Sequence, residues 1–66
     1  MSLLATYYDV IKLLQRYGIY IYTGKKMDDI DLIHEELKEL YDTGLILKED
    51  YLQSILIIQQ EKRMLT

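Results

Sequence analysis

Between residues 6 and 17, Tyr7, Val10, Leu14 and Tyr17 recur at spacings of three and four, and Ile11 and Leu13 widen the apolar stripe. That period predicts an amphipathic helix. Thr6 is suited to cap it. Asp9, three residues on, can answer the cap's backbone N–H and meets the positive end of the helix dipole. Gly18 stands just past the last turn, where a left-handed backbone is needed. The period then changes. Ile19-Tyr20-Ile21-Tyr22 alternates aliphatic and aromatic residues, which places the isoleucines on one side of an extended chain and the tyrosines on the other. A solitary stretch of this length has no strand partner for its backbone groups, so a connector over 18–26 is expected, docked on the core by its isoleucines. Thr23-Gly24 signals a turn leading to Lys25-Lys26.

Helical periodicity returns over 27–43. On a wheel, Ile30, Ile33, Leu37, Leu40 and Tyr41 share one sector, while Asp28, Asp31, Glu35, Glu39 and Asp42 lie opposite, with Leu32 alone among the acids. Asp28, Asp29 and Asp31 suit the N-terminal turn, and Gly44 marks the end. Leu45-Ile46-Leu47 reads as an apolar link tucked under the helices. A third helix over about 48–63 starts without a good cap. Tyr51, Leu52, Ile55, Leu56 and Ile58 cover a broad sector of it, and Ile57 points nearly the other way. The tail from Gln59 to Thr66 is polar and expected to fray. The fold class is therefore all-α, a compact three-helix bundle with helices at about 6–17, 27–43 and 48–63, in one domain spanning 1–66.

Length and composition bound this picture. A core built from 66 residues rarely supplies more than about 3 to 5 kcal/mol of net stability. The chain has no cysteine for disulfides or thiolate metal sites. Apolar residues make up 50% and charged residues 29%, a balance that suits a folded protein. No apolar run is long enough for a membrane span, and the first residues lack the pattern of a signal peptide, so a cytoplasmic protein is expected. The net charge of -3 argues against a broad duplex-binding footprint. It also conceals an asymmetry: Lys12, Arg16, Lys25 and Lys26 face only Asp9 in residues 1–27, whereas acids predominate from residue 28 onward.

Candidate chemistry is sparse. Gly18, Gly24 and Lys25 invite comparison with a phosphate-binding loop, but five residues separate the glycines where the motif has four, and Lys26 replaces the magnesium-binding hydroxyl. His34, the sole histidine, has no partner at metal-ligand spacing. Neither Ser2 nor Ser54 has an evident base nearby in sequence. Carboxylates along a straight helix do not converge on one ion, so the acidic face reads as solvated. No enzyme, cofactor or metal is expected. Tyr20 and Tyr22 beside Lys25 and Lys26 combine rings that stack on bases with cations that track phosphates, and Lys12 and Arg16, one turn apart, extend the basic strip. Tyrosine also commonly rims a small core, with its ring packed and its hydroxyl wet.

Tyr8-Asp9-Val10, Leu13-Leu14, Tyr17-Gly18, Ile21-Tyr22-Thr23-Gly24 and Glu36-Leu37-Lys38-Glu39-Leu40-Tyr41 resemble the YqgQ-like family, small bacterial proteins classed as a domain of unknown function. The likeness covers about residues 6–62, and the Ile-Tyr-Thr-Gly block is its most specific part. Leu47-Lys48 departs from the family pattern, where an Asp-Pro pair is expected. The resemblance implies three helices and a role in binding single-stranded nucleic acid. The expected function is thus non-enzymatic binding of single-stranded RNA or DNA through Tyr20, Tyr22, Lys25 and Lys26, with Lys12 and Arg16. The alternative is a protein interaction module, including a homodimer, in which the tyrosines are structural and Leu32, Ile57 or the acidic face meets the partner.

Overall fold

The computed structural model describes residues 3–65. Ser2 and Thr66 lie outside the described residues. Three helices follow one another: α1 (Tyr7–Arg16), α2 (Lys26–Asp42) and α3 (Lys48–Arg63). No strand occurs among the described residues. Each helix touches the other two, with α3 lying against both α1 and α2, in a body of 31 × 22 × 17 Å.

Local chemistry accounts for the boundaries. At the start of α1 the Asp9 N–H donates to Thr6 Oγ1 (3.1 Å), and the Thr6 N–H donates back to Asp9 Oδ2 (2.9 Å), a reciprocal capping box. The Ala5 N–H reaches the same carboxylate oxygen (3.0 Å). These backbone N–H donors hold the Asp9 carboxyl below its ordinary range. At the other end of α1 the Ile19 N–H bonds to the Leu14 carbonyl and the Gly18 N–H to that of Gln15, the paired bonds of a Schellman stop. Gly18 takes φ +76° there, where a side chain would be strained even though no heavy atom lies within 4 Å of the site of a Cβ. The same pair of bonds, Leu45 to Leu40 and Gly44 to Tyr41, ends α2. The start of α3 has no side-chain cap, as its sequence implies.

The core comprises Val10, Leu13 and Leu14 of α1, Ile30, Ile33, Leu37 and Leu40 of α2, Ile57 and Ile58 of α3, and Ile46 between the last two helices. Around it, Tyr41 and Tyr51 stack with centroids 4.7 Å apart, and the Tyr17 hydroxyl donates to the Leu45 carbonyl (3.0 Å), joining the end of α1 to the α2–α3 turn. Ile19 and Ile21 pack against the core from the connector.

Two expectations are corrected. In α3, Ile57 is buried, with 8% of its surface exposed, whereas Leu52 and Leu56 are 49% and 59% exposed. Residues 51–58 are apolar around most of the helix, so its own periodicity leaves the inner face undecided. The positions of α1 and α2 select the face bearing Ser54, Ile57 and Ile58. In the Leu45-Ile46-Leu47 link only Ile46 is buried: the Leu45 and Ile46 N–H groups both turn back to the Leu40 carbonyl, and this bend carries Ile46 inward and leaves Leu45 and Leu47 exposed. Beyond these, the polar end of α3 is tied to the start of α2: Lys26 pairs with Glu61, and Lys62 with Asp31 (3.4 Å).

Ser54 is wholly buried, and its hydroxyl has no hydrogen-bond partner among the described residues. Burying a polar atom without a partner costs about 1 to 3 kcal/mol, more than the small volume of a hydroxyl returns in packing. Ser54→Ala is therefore expected to raise the urea midpoint, by the equivalent of about 1 kcal/mol. A lowered midpoint would show that the hydroxyl is satisfied in solution.

Candidate nucleic-acid interface

Ile19 and Ile21 face inward from the connector, which turns Tyr20 and Tyr22 to solvent at 74% and 90% exposure. Neither ring contributes to the core. The alternation thus resolves as the sequence predicts, since a period of two puts neighbours on opposite sides of an extended chain. What fixes the segment is Thr23. Its backbone N–H and its hydroxyl both donate to Asp29 Oδ1, each at 2.7 Å, and the hydroxyl oxygen accepts the Lys25 N–H (3.2 Å). Asp29 lies in the first turn of α2, where the helix dipole favours a carboxylate. One buried side chain therefore stabilises the helix start and clamps the connector to it.

The cations divide among different settings. Lys25 is the N-cap residue of α2 and exposed. Lys26, the first residue of α2, pairs with Glu61 of α3 and holds its ammonium 4.7 Å from the centroid of the Tyr7 ring. The Glu61 hydrogen bond raises the Lys26 pKa. Burial raises that of the Tyr7 hydroxyl, and the Asp29 and Glu61 carboxylates add to the shift while Lys26 opposes it. Lys12 sits over the Tyr8 ring, 5.1 Å from its centroid, on the next turn of α1. Arg16 is not brought to the tyrosines: it lines a separate depression with Leu3, Leu4, Asp9, Leu13 and Asp50. The structure therefore gathers Tyr22 and Lys26 round one hollow, sets Tyr20 and Lys25 beside them along the chain, and leaves Arg16 across α1.

That hollow, of about 400 Å³, is lined by Tyr7, Ile11, Ile21, Tyr22, Gly24, Lys26 and Asp29. Tyr7 and Asp29 were not among the residues that the sequence singled out for binding. Asp29 had a signal available, because it stands four residues before Ile33, within the apolar stripe of α2, and so belongs to the buried side. Tyr7 had none beyond its place on the stripe of α1.

Elsewhere, Asp28, Asp31, Glu35, Glu39 and Asp42 form an exposed acidic face on α2, and His34 is exposed. Among the described residues no group of three or more histidines and carboxylates is arranged to hold a metal ion, and no helix is long and apolar enough to cross a membrane.

Fold and connector together define a small three-helix protein with a clamped, tyrosine-bearing segment between its first two helices. The chain belongs to the YqgQ-like family, whose sequence model matches residues 4–64. It is similar to the uncharacterized protein YqgQ of Bacillus subtilis (strain 168), with 36% identity over 56 residues, covering 85% of this chain and 79% of that protein. No solved structure matches the chain significantly.

Tyr7 and Lys26 imply an alkaline weakness. The folded protein holds both protons more tightly than an unfolded chain, whose groups titrate near 10.0 and 10.5. The stability they contribute is complete below those values and declines as pH rises through the folded ones. The urea midpoint is expected to fall as pH rises above the unfolded values of 10.0 and 10.5, and to fall less in Tyr7→Phe. Identical pH dependence in the two proteins would remove Tyr7 from this coupling.

Proposed function

We propose that this protein binds single-stranded nucleic acid, without catalysis and in the cytoplasm, using Tyr20 and Tyr22 as stacking platforms and Lys25 as the nearest phosphate contact. The observation that carries this is the exposure of two neighbouring tyrosines on one side of a segment whose other side is docked and whose end is clamped. Exposed aromatic rings on a fixed backbone lose little entropy on stacking, and each base stacked contributes about 1 to 3 kcal/mol. Lys25 supplies charge beside them. Lys26 adds to the local field but is shared with Glu61. The Tyr8–Lys12 pair extends the aromatic and basic surface along α1, while Arg16 stands apart. The acidic face of α2 repels a polyanion and so restricts it to the connector side.

Titration of a labelled single-stranded oligonucleotide at two salt concentrations tests this. Affinity is expected to fall with salt, to fall again in Lys25→Glu, and to drop by roughly tenfold or more in Tyr20→Ala/Tyr22→Ala, which removes no core contact. Absence of binding at low salt would end the proposal.

A role in protein interaction, including self-association, is favoured by a different observation: Leu52 and Leu56 lie exposed one turn apart on α3. It requires a sedimentation mass above that of a monomer, or a captured protein, with loss of either in Leu56→Asp. A strict monomer that captures nothing would exclude it.

A further inference from the structure

The hollow beside Tyr22 has a built polar edge. Asp29 is nine-tenths buried, and its Oδ1 already accepts the Thr23 N–H and hydroxyl. Its Oδ2 takes part in no hydrogen bond among the described residues and is not sealed from solvent, since the Ser54 hydroxyl is the wholly buried side-chain atom left without a partner there. A carboxylate oxygen offers two lone-pair directions and no proton, so whatever occupies it must donate. Lys26, three residues earlier on α2 and therefore on the same face, presents an ammonium with donors beyond the one given to Glu61. Ile11 and Ile21 supply apolar surface, and the Tyr22 ring a stacking wall. At about 400 Å³ the hollow lies at the small end of ligand sites.

Resting on the nucleic-acid reading above, we propose that this hollow is a subsite for one unstacked guanine base. Among the bases, guanine alone carries two adjacent donors, N1–H and the N2 amine, beside an acceptor, O6. Both donors suit Asp29 Oδ2, and O6 suits the Lys26 ammonium. Adenine and cytosine each offer that pair one donor group and one acceptor, and thymine or uracil a single N–H between acceptors. Guanine thus leads by one charge-assisted hydrogen bond, while stacking on Tyr22 is available to every base. Thr23 is a positioning residue here: by occupying Oδ1 it leaves a single oxygen to face the ligand.

The test compares roughly 12-nucleotide thymidine strands carrying one central guanine, adenine, cytosine or no substitution. A single guanine is expected to tighten binding by roughly tenfold. Asp29→Asn keeps an oxygen for Thr23 and turns the free position from acceptor to donor, so it should abolish the affinity difference between the guanine and thymidine strands. Protection of the Thr23 amide from hydrogen exchange would verify that the clamp survives in this variant. In parallel, guanosine and adenosine are titrated against the Thr23 and Gly24 amide signals, and only guanosine is expected to shift them. Equal affinity for all four strands, with no response to guanosine, overturns the subsite and leaves single-strand binding standing. A guanosine response without binding of any strand does the reverse. Silence in both overturns both.

Discussion

Among the described residues the three helices share a core of ten buried apolar side chains, and nearly every other feature of the structure compensates for that small number. Burial at this scale leaves little surplus over the conformational entropy of ordering the chain. Contacts at the rim therefore matter out of proportion to their size. The Tyr41–Tyr51 stack closes one end of the α2–α3 pair, and Lys26–Glu61 and Lys62–Asp31 bridge the other. Such exposed pairs add little individually.

The connector meets the same scarcity differently. An irregular segment has no regular ladder for its backbone groups, and the molecule has no second layer to cover them. Ile19 and Ile21 anchor it by burial, while Thr23 and Asp29 anchor it by hydrogen bonding. Once both anchors are in place, Tyr20 is turned to solvent and Tyr22 stands largely exposed at the rim of the hollow. Their exposure is a consequence of how the backbone is held, and the same clamp supplies the half-satisfied carboxylate of the neighbouring hollow. Asp29 has a structural role in the clamp and, in the proposed subsite, a recognition role as well. Substituting it by alanine would confuse the two, whereas asparagine separates them.

Electrostatics places the protein's few cations unevenly. Among the described residues Lys25 has no ion pair or ring contact, Lys26 is divided between Glu61 and Tyr7, and Lys12 is settled on Tyr8. A net charge of -3 would discourage a nucleic acid approaching at random. With the acids of α2 concentrated along one exposed face, the penalty falls on that side, and the connector side remains open.

The amino-acid sequence alone determined the helices to within a residue or two. Thr6, Asp9, Gly18 and Gly44 act through their immediate neighbours, and a capping box or a Schellman stop needs nothing distant. It also determined which connector residues face inward, since alternation is a property of the backbone. The sequence could not decide which side of α3 is buried. Residues 51–58 are apolar on most sides, so Leu52 and Leu56 look as eligible for the core as Ile57 until α1 and α2 are in position. Nor could it pair Lys26 with Glu61, join Thr23 to Asp29 or part Arg16 from the tyrosines. Those outcomes depend on where separate segments meet, and only the tertiary structure settles that.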